Sequence, residues 1–235
     1  METMAQYNTI LFDIDDTLMD FKLSERAALH NTFLDYGMPD GFSRFHDSYR
    51  EISSVLWRDL EHGIMPLALL GTERFKRLFH QHGLDFSAEA FGMQYLDYLG
   101  RETHLFPEAE AMVSGLSHCR LAVITNGFGT VQKARIKNSP MQHLFEHIII
   151  SEEAGYQKPH TGIFDYAFKK LGLKSKDSVL IVGDSLTSDI KGGADYGIST
   201  CWFNPQGKLN GTAVQPTHEI RCLSELQEIV NGKTK

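Results

Sequence analysis

The chain has 235 residues, of which 42% are hydrophobic and 23% are charged, and its formal net charge is −7. These values are typical of a globular protein with one or two domains, and the negative charge argues against a nucleic-acid polymer as partner. No stretch approaches the roughly 18 apolar residues of a membrane span, and the three cysteines form no disulfide or zinc motif. We therefore expect a cytoplasmic protein without a membrane partner, with Cys119 and Cys201 as reduced core residues.

The first predicted strand, residues 9–13, ends in two carboxylates that stand two positions apart. Successive side chains of a strand alternate between its faces, so Asp13 and Asp15 can point into one pocket where the strand ends. Two ionised carboxylates held close together repel each other, which costs free energy unless a cation or a proton neutralises them. Such a pair is otherwise kept where a reaction needs it. The spacing favours a functional site. The alternative is an acidic loop that closes a buried strand, with Asp16 capping the element that follows.

About a hundred residues without another strand follow this first one. Apolar and aromatic residues recur there at helical spacing, in four stripes: Leu29, Phe33 and Tyr36; Phe45, Tyr49, Ile52 and Leu56; Leu67, Leu70, Leu78 and Phe79; and Phe91, Tyr95, Tyr98 and Leu99. Such stripes are typical of a helical core. We predict an inserted module of four or five helices over residues 21–101, and a second domain made of residues 1–20 plus 102–235.

Apolar β-branched runs return at residues 121–125, 147–151, 179–182 and 199–203, with helical patterns between them. This alternation is typical of a parallel sheet with helices on its faces. The predicted fold class is therefore α/β, a Rossmann-like parallel sheet core with an all-helical domain inserted after the first strand.

Polar side chains suited to binding ions follow the ends of these strands: Thr125 and Asn126 after the second, Lys158 before the helix that follows the third, and Asp184 and Asp189 after the fourth. The carboxyl ends of parallel strands share one edge of a sheet, so we expect these groups to meet the first carboxylate pair. Carboxylates suit a hard cation such as Mg²⁺, whereas Thr125 and Lys158 suit an anion. Together they are the groups that a phosphoryl-transfer site requires.

Four short motifs in this order resemble the haloacid dehalogenase-like hydrolase superfamily: Asp13-Ile14-Asp15-Asp16-Thr17, Thr125-Asn126, Lys158-Pro159, and Gly183-Asp184 with Asp189. The resemblance covers most of the chain, and the helical insertion resembles the cap of that superfamily, which closes over the site.

The resemblance implies a role for each matching residue. Asp13 resembles the nucleophile that forms an aspartyl-phosphate, and Asp15 resembles the general acid and base. The ligands of Mg²⁺, for which Mn²⁺ is an alternative, would be the Asp13 and Asp184 carboxylates and the Asp15 backbone carbonyl. Asp189 would bind a metal-bound water or Lys158. The groups that bind the phosphoryl oxygens would be Thr125, the Asn126 amide and Lys158.

Several short segments outside the four motifs resemble bacterial 5'-nucleotidases that act on pyrimidine nucleoside monophosphates. These segments are Leu56-Trp57-Arg58 in the cap, Gly127-Phe128, 151–155 and 200–205. Sugar-phosphate mutases of the superfamily carry a basic residue shortly after a glycine in the cap loop. Here that stretch reads His62-Gly63-Ile64-Met65-Pro66. The departure argues against a mutase, and it makes Gly63, Ile64 and Met65 candidates for contact with the leaving group.

Two other functions remain open at this point. One is a phosphatase of another small organic phosphate, such as phosphoglycolate or a sugar phosphate. The other, from a different class, is a non-catalytic phosphate-binding or phospho-receiver module. A receiver domain lacks a large helical insertion, and its acceptor aspartate follows an interior strand. The sequence indicates neither an oligomeric state nor a protein partner.

Overall fold

The computed structural model describes residues 6–232 of the chain. Its centre is a parallel sheet in the strand order β3-β2-β1-β4-β5-β6. The strands are β1 Thr9–Phe12, β2 Arg120–Thr125, β3 His147–Ile150, β4 Val179–Gly183, β5 Ser199–Phe203 and β6 His218–Ile220. The α/β parallel-sheet prediction is confirmed. The sixth strand was missed, because its three residues do not form an apolar run.

Ten helices connect and cover these strands in the described part of the chain. They are α1 Phe21–Asp35, α2 Gly41–Glu61, α3 Leu67–His82, α4 Ala88–Arg101, α5 Ala109–Gly115, α6 Gly129–Lys137, α7 Ser151–Ala154, α8 Thr161–Leu171, α9 Lys191–Tyr196 and α10 Leu226–Val230. A π-helical turn, Leu186–Ile190, precedes α9, and a 3₁₀ turn, Leu223–Glu225, precedes α10. None of the described helices is long and apolar enough to cross a membrane.

Both faces of the sheet are buried, which explains why its strands are continuous apolar runs. Alternate residues of β1 point to opposite sides: Ile10 and Phe12 join a cluster with α5 and α10, and Leu11 joins a cluster with α8 and α9. Cys119 and Cys201 are buried, as expected, whereas Cys222 is exposed.

The order of the strands reverses beside β1. From β1 the chain continues to β2 and β3 on one side, and then returns to β4, β5 and β6 on the other. Because β1 pairs with both β2 and β4, the loops after these three strands diverge and leave a crevice between them. Ligands of open parallel sheets bind in such a crevice.

Residues 21–101 form four helices, α1 to α4, which pack around their own aromatic core. Phe33, Phe75 and Phe91 lie at its centre, with ring centroids of Phe33 and Phe91 5.0 Å apart and those of Phe75 and Phe91 4.8 Å apart. Val131 of α6 joins the same cluster, so α6 lies between this helical module and the sheet. Most residues of the predicted stripes therefore belong to this core, whereas Leu56 and Leu70 form a second, smaller cluster with Leu60.

A buried polar group interrupts this aromatic core. Arg74 is 2% exposed; its Nε donates to the Leu70 carbonyl and its Nη1 to the Tyr49 hydroxyl, at 3.0 and 3.1 Å. Partly buried Glu25 lies near the Arg74 and Arg50 guanidinium groups. Burial raises the pKa of Glu25 to about 7, although the two arginines oppose the shift. Folding therefore favours the neutral form of this carboxyl group.

This shift predicts a pH-dependent stability. Because the folded-state pKa of Glu25 lies above its ordinary value of 4.5, its stabilising contribution is present below pH 4.5 and is lost as the pH rises through 7. Between pH 5 and pH 8, the parent is expected to lose about 2 kcal/mol more unfolding free energy than Glu25→Gln. Urea unfolding at both pH values measures this difference. Glu73→Gln, in an exposed pair with Arg77, is the control, and an equal pH dependence in Glu25→Gln and the parent contradicts the account.

Candidate active site

The loop after β1 places Asp13 against a buried lysine. The Asp13 backbone N–H donates to the Val182 carbonyl at 2.9 Å, which continues the pairing of β1 with β4 beyond the strand end. The Lys158 Nζ donates to Asp13 Oδ1 at 2.6 Å, to Asp189 Oδ1 at 2.7 Å and to the Ile124 carbonyl at 2.7 Å. Lys158 is 1% exposed. All three donors of the ammonium group are thus satisfied, and its position is fixed.

The other oxygen of Asp13 contacts the loop after β4 through Thr17. The Thr17 hydroxyl donates to Asp13 Oδ2 at 3.1 Å, and it accepts from the Asp184 backbone N–H at 3.1 Å. The Asp184 carbonyl in turn accepts from the Trp202 indole at 2.8 Å. The backbones of the two loops that carry Asp13 and Asp184 are therefore held together by one hydroxyl group.

Asp13, Asp184 and Asp189 form one carboxylate cluster, in which one oxygen of each lies within 4.8 Å of the others. Asp189 belongs to the π-helical turn, and its Oδ2 accepts from the Ser185 backbone N–H at 3.1 Å. A Cβ atom on Gly183 would lie 2.2 Å from the Asp189 carboxylate. Only glycine at this position allows the turn to approach the strand so closely.

The electrostatics of this cluster favour a cation. Burial, together with the nearby carboxylates of Asp189 and Asp15, raises the pKa of Asp13 to about 7, although Lys158 opposes the shift. Burial, together with repulsion from Asp189 and Asp13, raises the pKa of Asp184 well above its usual range. Burial opposes the charge of Lys158, but Asp13 and Asp189 raise the pKa of this lysine above its ordinary value. Of the three carboxylates, Lys158 pairs with Asp13 and Asp189, and a divalent cation fits the remaining negative charge.

The chemical type of the ligand atoms also suits Mg²⁺. Carboxylate oxygens from two loops, held by backbone and hydroxyl hydrogen bonds, are the hard ligands that this ion prefers, with water completing the shell. The side chains of Asp13 and Asp184 both belong to the cluster, as the predicted ligand set requires. The Asp15 side chain is outside this cluster and is bound instead by Gln132 and Arg135.

Asn126 holds the lysine loop in place. Its side-chain oxygen accepts from the Lys158 N–H at 2.9 Å and its side-chain nitrogen donates to the Lys158 carbonyl at 3.0 Å. The side chain of Asn126 is therefore engaged with the protein, and the backbone amide is the part suited to a phosphoryl oxygen. Thr125, 1% exposed at the end of β2, accepts from Gln132 Nε2 at 3.1 Å. Its hydroxyl donates to the Asn126 carbonyl over a long 3.4 Å contact, which an anion at the end of β2 can replace.

Two residues that sequence reasoning missed hold the side chain of Asp15. Gln132 Nε2 donates to Asp15 Oδ2 at 2.7 Å, and Arg135 Nη1 forms an ion pair with Asp15 Oδ1. Both lie on α6, three positions apart and on one helix face, and both are buried. Their signal in the sequence was a pair of polar residues at helical spacing directly after the Thr125-Asn126-Gly127 turn.

The loop between α2 and α3 brings the candidate cap residues to the sheet domain. Gln157 Nε2 donates to the Leu60 carbonyl at the end of α2. A cavity of about 890 Å³ lies there, and Gly63 and Met65 line it together with Gln157 and Pro159, the neighbours of Lys158. Ile64 is 71% exposed and does not line this cavity.

The fold is a parallel sheet with helices on both faces. It holds a carboxylate cluster and a buried lysine at its switch point, an arrangement typical of α/β enzymes that transfer phosphoryl groups. A family model for haloacid dehalogenase-like hydrolases matches residues 7–197. The chain belongs to this family, and it is a phosphoric monoester hydrolase.

Full-length relatives agree with this assignment. The chain is 37% identical over 229 residues to the putative HAD-hydrolase YfnB of Bacillus subtilis, with 97% of each chain covered. It is 32% identical to the pyrimidine 5'-nucleotidase PynA of Streptococcus pneumoniae, with 96% of this chain and 95% of PynA covered. It is 29% identical to the pyrimidine 5'-nucleotidase YjjG of Escherichia coli, with 96% and 98% covered. A crystal structure of YfnB bound to magnesium matches with a TM-score of 0.90 and 36% identity, over 96% of this chain and 99% of that chain.

Proposed function

We propose that this phosphatase is a Mg²⁺-dependent 5'-nucleotidase, which hydrolyses pyrimidine nucleoside monophosphates through an aspartyl-phosphate on Asp13. The observation that carries the proposal is the placement of Asp13. Its two oxygens are held by Lys158 and Thr17, and it shares a carboxylate cluster with Asp184 and Asp189. The names of PynA and YjjG support the choice of substrate. A cytoplasmic location remains part of the proposal.

The first step transfers the phosphoryl group to the protein. The Asp13 carboxylate attacks phosphorus, the bond from phosphorus to the 5'-oxygen breaks, and Asp15 gives its proton to the leaving oxygen. Lys158 donates to a phosphoryl oxygen in place of Asp13 Oδ1, its present acceptor, once Asp13 attacks phosphorus. The Asn126 amide and the Thr125 hydroxyl donate to the other phosphoryl oxygens. Mg²⁺, held by the Asp13 and Asp184 carboxylates and the Asp15 carbonyl, supplies positive charge to the phosphoryl group when bound.

The second step releases phosphate. Water attacks phosphorus, Asp15 takes one proton of this water, and the bond between phosphorus and Asp13 breaks. Asp15 is then protonated again for the next turnover. Asp189 keeps Lys158 in place during both steps through the 2.7 Å hydrogen bond between them.

The helical module of residues 21–101 serves in this proposal as a cap domain over the site. Excluding water while the phosphoryl group is on Asp13 favours controlled hydrolysis. Gly63, Ile64 and Met65 are the proposed specificity residues. Gly63 and Met65 lie beside the loop that carries Lys158, and the exposed Ile64 side chain can contact a substrate that enters from solvent.

A substrate panel with metal control tests this proposal. We expect phosphate release from uridine and thymidine monophosphates in Mg²⁺ to exceed release from sugar phosphates and phosphoglycolate. Full chelation is expected to abolish release, and added Mg²⁺ to restore it. Activity that survives chelation contradicts the metal-dependent mechanism. A preference for sugar phosphates contradicts the nucleotidase assignment while leaving the mechanism intact.

A further inference from the structure

Arg135 is a fully buried cation outside the phosphate-binding groups. It lies on α6 with 0% exposure, and all three nitrogens of its guanidinium group have partners. Nη1 contacts Asp15 Oδ1 and also donates to Gln132 Oε1 at 3.2 Å. Nε donates to the Glu102 carbonyl at 3.1 Å, and Nη2 to the Ser24 hydroxyl at 3.4 Å. A buried arginine with such a set of partners has one orientation.

Arg135 contacts the two segments that connect the helical module to the rest of the chain. Ser24 lies in the first turn of α1, one turn after Phe21, whose ring centroid is 5.8 Å from Arg135 Cζ. Glu102 directly follows Arg101, the last residue of α4. The chain enters the module at α1 and leaves it at α4, so one guanidinium group contacts both connections.

The Asp15 side chain is held from one side only, by α6. Its Oδ1 pairs with Arg135 and its Oδ2 accepts from Gln132. Gln132 also donates to the Thr125 hydroxyl at the end of β2. The helix that carries both donors packs against α4. A shift of the helical module relative to the sheet therefore acts on the residues that orient Asp15.

We propose that Arg135 is a positioning residue that couples the placement of the helical module to the orientation of Asp15. This inference rests on the proposed role of Asp15 as general acid and base. Asp15, Glu102 and Arg135 lie outside residues 21–101, whereas Ser24 and Phe21 lie in the helical module and contact the planar guanidinium fork. If the module moves away from the sheet, the fork loses these two contacts and holds Asp15 less firmly in its orientation for proton transfer. This links proton transfer to a closed site, where water is excluded.

Leaving-group dependence distinguishes a role in proton transfer from a merely structural role. A poor leaving group needs a proton from the general acid, whereas an activated phenolate departs without one. Phenyl phosphate and p-nitrophenyl phosphate have similar size and differ in this requirement. Arg135→Lys is expected to lower kcat for phenyl phosphate about 50-fold and for p-nitrophenyl phosphate less than about 5-fold. Equal losses for the two substrates overturn the proposal.

Further variants test the individual contacts of Arg135. Ser24→Ala removes a contact with the module and leaves the Asp15 ion pair, and it is expected to give the same selectivity with a smaller loss, about 5-fold. No selective loss in Ser24→Ala overturns the coupling. If Arg135→Lys does not fold, Ser24→Ala alone tests the coupling, because it leaves the ion pair and the contacts of Gln132 in place. Arg120→Lys is the matched control, because Arg120 also binds a carboxylate, that of Glu146, but in an exposed pair at the start of β2.

Asp15→Asn distinguishes failure of this inference from failure of the proposed function. Asp15→Asn is expected to show the same selectivity as Arg135→Lys, with a larger loss for phenyl phosphate. If Asp15→Asn is selective and Arg135→Lys is not, the positioning role of Arg135 is wrong and the mechanism stands. If Asp15→Asn itself shows equal losses for both substrates, Asp15 is not the general acid and the proposed mechanism fails.

Discussion

Asp13→Asn is expected to lower kcat by at least about 10⁴-fold, because the amide is nearly isosteric with the carboxylate but is not a nucleophile toward phosphorus. The Lys158 contact with Asp13 Oδ1 can persist with the amide oxygen, so substrate affinity is expected to change far less than kcat. Steady-state kinetics in Mg²⁺ with a nucleoside monophosphate, together with substrate binding by calorimetry, separate the two effects.

The folded state of Asp13→Asn is expected to be at least as stable as the parent above pH 7. Burial and repulsion from Asp189 raise the pKa of Asp13 to about 7, so the folded protein holds this carboxylate ionised at a cost that the amide does not have. Asp20→Asn is the matched control. Asp20 caps the start of α1, accepting from the Leu23 N–H at 3.0 Å, and asparagine caps equally well. A kcat within tenfold of the parent in Asp13→Asn contradicts its role as nucleophile.

Lys158→Met is expected to impair both catalysis and folding. The lysine donates to Asp13, Asp189 and the Ile124 carbonyl, and methionine fills similar space without a charge. Loss of a cation beside the reacting phosphoryl group is expected to lower kcat about 10³-fold. Removing one partner of a buried ion pair is expected to cost about 3–5 kcal/mol of unfolding free energy, measured in urea at pH 8.

The loss of stability in Lys158→Met is expected to be smaller at pH 5 than at pH 8. Lys158 opposes the rise in the pKa of Asp13, so its removal leaves carboxylates that must be protonated to remain buried. Adding Asp189→Asn is expected to restore part of the stability but none of the activity. Lys191→Met is the control, because Lys191 and Asp195 form an exposed pair on α9 whose loss is expected to cost less than about 1 kcal/mol. Unchanged stability in Lys158→Met contradicts this account of the site.

The sheet was predictable from sequence because its strands are buried on both faces. Each of the first five strands is a short apolar run bounded by helical patterns, and the structure places them within one residue of the expected bounds. The sixth strand lies at the edge of the sheet and pairs with β5 alone, through His218, Glu219 and Ile220. A half-exposed strand of three residues has no periodicity long enough to detect.

The residues after the strands were predictable because strand ends converge. Asp13 and Asp184 directly follow β1 and β4, and Thr125 is the last residue of β2. Parallel pairing brings these positions to one edge of the sheet. Lys158 lies in a loop, yet its backbone is held by Asn126 at the end of β2. Here a local motif, lysine followed by proline before a helix, identified the residue without showing its partners.

The groups around Asp15 were not predictable in this way. Gln132 and Arg135 reach Asp15 across separations of 117 and 120 residues, and a polar residue on a helix is usually exposed to solvent. Their burial depends on α6 lying between the sheet and the helical module, which is a property of how these helices pack. Single-sequence patterns describe the faces of individual helices and carry no information on this arrangement.

Acid-quench trapping detects a covalent phosphoryl group on Asp13, the intermediate on which the proposed mechanism depends. The enzyme is mixed with Mg²⁺ and a nucleoside monophosphate carrying ³²P, quenched in acid within the first turnover, digested and separated into peptides. We expect label on the peptide that contains Asp13, released by hydroxylamine and absent from Asp13→Asn. Full-rate turnover without label on the protein, or equal label on Asp13→Asn, contradicts it.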